Sequence, residues 1–286
     1  MNWTENKVSK IVVVGNCQAQ FLEGVFSLAG AHAVDKIPPN FTLTAADRDN
    51  VLRKLDEAAV IFIQRTAEEY QLEWLRSRPV AERYAGKTWI WPNVYFDGYF
   101  PNTRYIYLPS GKLQSPLEDY HLTPVLQAWQ QKQDEAQALA RLHEDPCGTP
   151  DPFGASLQNL RDRENDCTVL MSDYVEKEIY KTKCFYTPNH PHTYILVELA
   201  RRLAEEAQIP FDLQKALAWP YHLDKIDLPV FQWVIKKYGL SFPVGSAYKG
   251  VCVEGIDGPK VALGGTCTYE PETLVQKFYG VYRAAL

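Results

Sequence analysis

No stretch of this 286-residue chain approaches the roughly 18 consecutive apolar residues that a membrane-spanning helix requires. The apolar run near the amino terminus, Ile11 to Val14, is also too short for the core of a signal peptide. Met1 to Lys10 before it is polar and mixed in charge. The expectation is a cytoplasmic protein without a membrane span. Positive charge is not in excess either. Lys and Arg number 30 against 35 Asp and Glu, for a net charge of −5, which argues against nonspecific nucleic-acid binding. The six cysteines include no CxxC pair, so no structural zinc site is expected. Without a secretory signal, no disulfide framework is expected either. The G-x-G-x-x-G dinucleotide fingerprint is absent, and Pro109-Ser110-Gly111-Lys112 lacks the rest of a phosphate-loop pattern. No internal repeat or low-complexity tract is present.

Aromatic side chains, by contrast, are abundant, at 13% of the chain with 17 Tyr and 7 Trp. Such residues build cores and also line sites for sugars, adenine rings and acyl chains. The first hundred residues alternate strand and helix signals. Ile11 to Val14 reads as a buried strand ending at Gly15. Helical spacing then runs through Phe21, Leu22, Val25, Phe26 and Ala29, with Asn16 as N-cap and Gly30 as stop. A strand near Val34 to Ile37 and a helix from Thr44 to about Glu57 follow. Ala59 to Gln64 is a second buried strand run. Thr66-Ala67-Glu68-Glu69 fits a capping box opening a helix through Leu75, and Thr88 to Trp91 reads as a further strand. This order predicts a parallel sheet with helices on both faces.

Residues 92–120 are rich in Pro and aromatics, and a long connection of that kind suggests a binding loop. Helical texture spans Leu122 to His143, 154–181, 192–208 and about Pro229 to Tyr238. Strand-like runs lie in 245–268, before a helix from about Glu272. The turn-rich stretch from Asp145 to Pro152 is the candidate boundary. The fold expectation is α/β: a three-layer parallel-sheet part over residues 1–145, then a mainly helical part over 146–286.

Ligands of open parallel sheets bind beyond the carboxyl ends of the strands. Cys17 sits there, in the first turn of a helix, where free N–H groups and the helix dipole stabilise an anion. A lowered thiol pKa is therefore expected. Gly15 allows a sharp turn, and the amides of Asn16 and Gln18 could serve a developing oxyanion. The alternative is a packed cysteine in a tight turn. A thiol nucleophile needs a base, and His190 in Pro188-Asn189-His190-Pro191-His192 is the candidate, held by two prolines. A Pro-rich helix entrance capped by Asn189 is the alternative reading, and His192 competes with His190. Asp166, Asp173 and Glu176 lie on helical stretches, where charges usually form a solvated face, so no orienting third group is assigned. Arg65 and Asn93 follow strands and should reach the same edge, where Arg65 suits a phosphate or carboxylate. A surface ion pair is its alternative.

Three segments taken together resemble a known family. These are Val13-Val14-Gly15-Asn16-Cys17-Gln18, then Trp91-Pro92-Asn93 leading into Tyr95-Phe96-Asp97-Gly98-Tyr99-Phe100-Pro101, and Tyr186-Thr187-Pro188-Asn189-His190-Pro191. Over roughly residues 10–240 they resemble the WcbI-type polysaccharide-biosynthesis enzymes of bacterial capsule pathways, which look like coenzyme-A-binding acetyltransferases with a Cys/His site. The resemblance implies that Cys17 and His190 form the reactive pair and that coenzyme A (CoA) or acetyl-CoA is the ligand. It also implies that a hydroxyl of a capsular or related sugar is the acceptor. Arg65, Asn93, Tyr95 and Tyr99 would hold the CoA, and no metal is implied. The cysteine's placement also looks like the Gly-Asp-Ser turn of SGNH hydrolases, with Cys for Ser. Those enzymes carry an Asp three residues before the His, where this chain has Thr187. A thioesterase or esterase, and a noncatalytic sugar- or nucleotide-binding protein, remain alternatives, and homo-oligomerisation stays open.

Overall fold

A computed structural model describes residues 9–28, 32–142, 144–145, 148, 150–243 and 245–286. The expected helix stop at Gly30 and residues 146, 147 and 149 of the turn-rich stretch, Cys147 among them, lie outside the described residues. The architecture is mixed α/β around a four-stranded parallel sheet. Its strands are β1 (Ser9–Val14), β2 (His32–Asp35), β3 (Val60–Gln64) and β4 (Thr88–Trp91), in the order β2-β1-β3-β4. Chain order reverses between β1 and β3, which makes their carboxyl ends the topological switch point of the sheet.

The chain forms two compact units that each draw on separated segments: residues 1–94, 158–175 and 191–223 in the first, and 95–157, 176–190 and 224–286 in the second. The units interleave along the chain, whereas the sequence suggests one boundary near residue 145.

The first unit holds the sheet. Val12, Val14, Ile61 and Ile63 face a core completed by Val51 and Leu55 of α2 (Arg48–Glu57) and Val80 of α3 (Ser77–Arg83). Phe62 points to the opposite side and stacks on Phe26 of α1 (Cys17–Ser27), with ring centroids 4.8 Å apart. Burial on both faces explains why β1 and β3 read as unbroken apolar runs rather than alternating ones. The helix expected from Thr66 to Leu75 does not form. Instead the Thr66 hydroxyl accepts from Ser77 N–H at 2.9 Å, and Thr66 N–H donates to Ser77 Oγ at 3.1 Å. The capping side chain thus serves the helix that begins eleven residues later.

The second unit contains a closed aromatic cluster. Phe96, Tyr99, Phe100, Phe153 and Phe185 are all essentially excluded from solvent, and Phe96 meets Tyr99 edge-on at 5.1 Å. The strand-like runs of residues 245–268 form the antiparallel ribbon Tyr248–Asp257 and Lys260–Tyr269. The helix Pro271–Ala285 packs on that ribbon. No helix among the described residues is long and apolar enough to cross a membrane, and the five described cysteines are free thiols.

His121 is fully buried in this unit. Its Nδ1 lies 3.1 Å from Tyr282 Oη, and its Nε2 lies 3.0 Å from the Leu113 carbonyl oxygen. Burial lowers its pKa to about 4, against the opposing pull of the Leu113 carbonyl. The unfolded chain therefore takes up this proton near pH 6.5, and the folded chain only near 4. Stability is full above pH 6.5 and falls as pH drops through that window, by about 2 kcal/mol at pH 5. Urea unfolding midpoints at pH 7 and pH 5 measure this. Equal midpoints at the two values would exclude a neutral buried His121.

Candidate functional site

At the switch point, backbone and side-chain amides tie three strand ends together. Asn16 caps α1, its Oδ1 accepting from Gln18 N–H at 2.9 Å. Asn16 N–H donates to Oε1 of the buried Gln64 at 3.0 Å. Asn93 Oδ1 accepts from Asn16 Nδ2 and from Gln18 Nε2, each at 3.2 Å. The Gln18 amide also pairs with the backbone of Val94, donating at 2.9 Å and accepting at 3.2 Å. Neutral bonds of this kind contribute about 1 kcal/mol each and cost more when broken inside a protein. Asn16, Gln18 and Asn93 are therefore brought together, as their positions after strands suggest. Gln64 was missed, although a lone amide closing the apolar run Val60–Gln64 is a signal that could have been read.

Three expectations change here. Both Nε2 hydrogens of Gln18 are directed at Asn93 and Val94, so its side chain is scaffold rather than an oxyanion donor. Gly15 does not lie in the left-handed region of backbone space. It is required because a Cβ there would meet the Trp91 ring at 2.8 Å. The thiol pKa moves opposite to expectation: burial pushes Cys17 up to about 11, although the N–H groups of Cys17 and Gln18 pull it down. Desolvating the thiolate outweighs two backbone dipoles. Tyr221, unmarked in the sequence, donates to Gln20 Oε1 at 3.1 Å. Its phenol pKa is raised by burial first, and then by the charges of Cys17 and Glu23.

Arg65 extends from the carboxyl end of β3. Its Nη2 lies 3.5 Å from Asp166 Oδ2, and its Nε is buried without a hydrogen-bond partner. Asn93 uses only its oxygen in the amide cluster. Its Nδ2 therefore keeps both hydrogens for another acceptor.

His190, Asn189, Tyr95 and Tyr99 belong to the second unit. His190 lies in a small antiparallel hairpin formed by Phe185–Thr187 and His190–Pro191. Its Nδ1 is buried without a partner. Burial lowers its pKa, while the Glu118 carboxylate pulls the other way, so the ring is neutral near pH 7 and able to accept a proton. Asn189 does not cap the following helix. Its Oδ1 accepts a short hydrogen bond from the Tyr120 hydroxyl, which also lies 3.2 Å from Thr187 Oγ1. The N-cap of Thr193–Glu206 is His192, which belongs to the first unit. Glu118 has a left-handed backbone with φ of 55°, uncommon for a residue with a side chain. Tyr99 is corrected outright: it is buried, and its hydroxyl donates to the Ile179 carbonyl at 2.6 Å, so it is core rather than a ligand contact. Phe96 and Phe100 are likewise core, and the Pro-rich aromatic connection builds the second unit's interior more than a binding surface. No cluster of metal-ligating residues occurs among the described residues.

A parallel sheet with a cysteine opening the helix past its switch point defines an open-sheet α/β protein with a thiol at the carboxyl edge of its strands. The WcbI family profile matches residues 10–212, and the chain belongs to this family of polysaccharide biosynthesis enzymes. It also superposes on a solved WcbI structure with a TM-score of 0.72 and 19% identity, over 97% of this chain and 91% of that one. That structure is described as the native protein of a novel polysaccharide biosynthesis enzyme, without a disulfide bond between coenzyme A and one of its cysteines. No curated protein matches the chain.

Proposed function

We propose that this protein transfers an acyl group, acetyl in the simplest case, from a CoA thioester to a hydroxyl of a capsular or related polysaccharide sugar. The reaction is assigned to the cytoplasm. The observation that carries this reading is the Cys17 thiol at the sheet's switch point, with the N–H groups of Cys17 and Gln18 acting on its sulfur. Membership of a polysaccharide biosynthesis family supports the acceptor. A WcbI structure described in terms of CoA and a cysteine supports the donor. The groups left without protein partners, Arg65 Nε and Asn93 Nδ2, fit a ligand rich in acceptor oxygens.

With a pKa of about 11, only about one Cys17 in ten thousand is thiolate at pH 7. The thiol therefore needs a base, and His190 is assigned that role. In this scheme His190 takes the Cys17 proton as sulfur attacks the thioester carbonyl. The carbon–sulfur bond to CoA breaks, and the CoA thiolate leaves with the proton from the imidazolium. The acceptor hydroxyl then gives its proton to His190 and attacks the acyl-cysteine, which releases the ester and returns the proton to Cys17. Backbone N–H groups at the start of α1 stabilise each tetrahedral oxyanion. Glu118, through its charge on His190, favours the imidazolium that forms in both halves.

CoA is expected to raise the thermal midpoint, because a ligand bound only by the native state must stabilise it. Acetyl-CoA alone should release no more than one equivalent of free thiol, as Cys17 is acylated, and continued release should require an oligosaccharide acceptor. Release at the same rate without acceptor would replace transfer by thioester hydrolysis. No shift at saturating CoA would remove the donor.

A further inference from the structure

Beyond the thiol, the carboxyl end of β3 opens into a cavity of about 200 Å³ within the first unit. Three arginines line it: Arg65, Arg76 and Arg78. Their carboxylate neighbours are few. Asp166 lies 3.2 Å from Arg78 Nη2 and 3.5 Å from Arg65 Nη2, and Glu68 lies 2.7 Å from Arg78 Nη1. The Glu68 side chain is 74% exposed and can swing into water. Arg76 donates its Nε to the Tyr70 carbonyl at 3.0 Å. Among the described residues its fork meets only the exposed Glu73, at 3.6 Å. The lining thus holds three fixed cations against two carboxylates.

The hydroxyls on the rim are already occupied. Thr66 and Ser77 bond each other's backbone reciprocally, which locks the loop between β3 and α3 on one side of the cavity. What stays unsatisfied is Arg65 Nε, buried and without an acceptor, and a buried donor of this kind calls for a partner. A dianionic phosphate ester supplies several acceptor oxygens and the opposite charge, and planar guanidinium forks match it. The connection to the thiol is direct in sequence and sheet order. Arg65 follows Gln64, and Gln64 holds the Asn16 backbone one residue before Cys17.

We propose that the Arg65–Arg76–Arg78 cavity is a phosphate-ester subsite that holds a phosphate group of CoA while the thioester end lies toward Cys17. This rests on the CoA reading above and adds Arg76 and Arg78 to the residues that recognise the donor. Titration calorimetry on the full chain tests it with CoA, dephospho-CoA and pantetheine. Arg78→Gln should weaken CoA roughly tenfold and leave pantetheine, which has no phosphate, unchanged. Glu68→Gln removes the competing carboxylate from an exposed side chain and should tighten CoA about threefold by freeing the Arg78 fork. If the Arg78→Gln loss vanishes with dephospho-CoA, the group held is the 3′-phosphate. If it persists, the group is the diphosphate, and either result supports the subsite. CoA affinity unchanged in both variants, or pantetheine weakened as much as CoA, overturns the subsite and leaves acyl transfer standing. Failure of the unaltered chain to bind CoA overturns both.

Discussion

Replacing Cys17 by alanine is expected to abolish acyl transfer, with a loss on the order of 10³- to 10⁴-fold in kcat. That equals about 4–5.5 kcal/mol of transition-state stabilisation. The fold should survive, because the change removes one sulfur from a partly buried side chain, worth about 1 kcal/mol or less. The supporting side-chain amides would stay in place, since those of Asn16, Gln18, Gln64 and Asn93 bond to one another and to backbone. Steady-state kinetics with acetyl-CoA and acceptor, beside urea unfolding of the variant, separate the two effects. A Cys17→Ala protein that transfers at the parent rate would rule out any reactive role for the thiol. CoA affinity retained alongside lost turnover is the pattern of a residue that acts mainly in the transition state. Mass spectrometry of the unaltered enzyme with acetyl-CoA alone should detect an acetyl group on Cys17 under the two-step scheme.

The second large effect is expected at His190. Exchange for glutamine keeps the size and a polar end but removes the base, and should cost on the order of 10²- to 10⁴-fold in kcat. The sign of its pH dependence follows from its environment. Burial disfavours the charged ring, and Glu118 only partly offsets this. The neutral, working form therefore persists below the ordinary His pKa of about 6.5. The acidic limb of kcat/KM should fall below that value in the unaltered enzyme. Glu118→Gln removes the charge that favours the imidazolium and should move the limb further toward acid. An acidic limb at or above 6.5, unmoved by Glu118→Gln, would separate the profile from His190. Full turnover in His190→Gln would take the base out of the mechanism.

Much of this site was legible because it depends on short-range chemistry. Asn16 caps its helix as an N-cap asparagine should. β4 spans Thr88–Trp91, the four residues its sequence suggests. The alternation of strands and helices gave the parallel sheet, and sheet architecture placed Cys17, Arg65 and Asn93 at strand ends. What failed were inferences about neighbours distant in sequence. The capping signal at Thr66 was real but engaged Ser77, so its helix starts later. The aromatic segment from Tyr95 looked like a ligand loop, yet Phe96, Tyr99 and Phe100 found Phe153 and Phe185 and became core. Glu118 and Tyr120 sit some seventy residues before His190, and nothing local links them to it.

The sequence by itself determined the class of fold, the strand-end position of the thiol and the histidine motif, because periodicity, caps and the handful of motif residues act within a few positions. Only the tertiary structure decided the electrostatic state of those groups. Whether Cys17 is a ready thiolate or a neutral thiol near 11 depends on which atoms exclude water from it. Local sequence supplies the helix N–H groups that favour the anion. Burial exists only in the folded chain, and here it is the larger of the two.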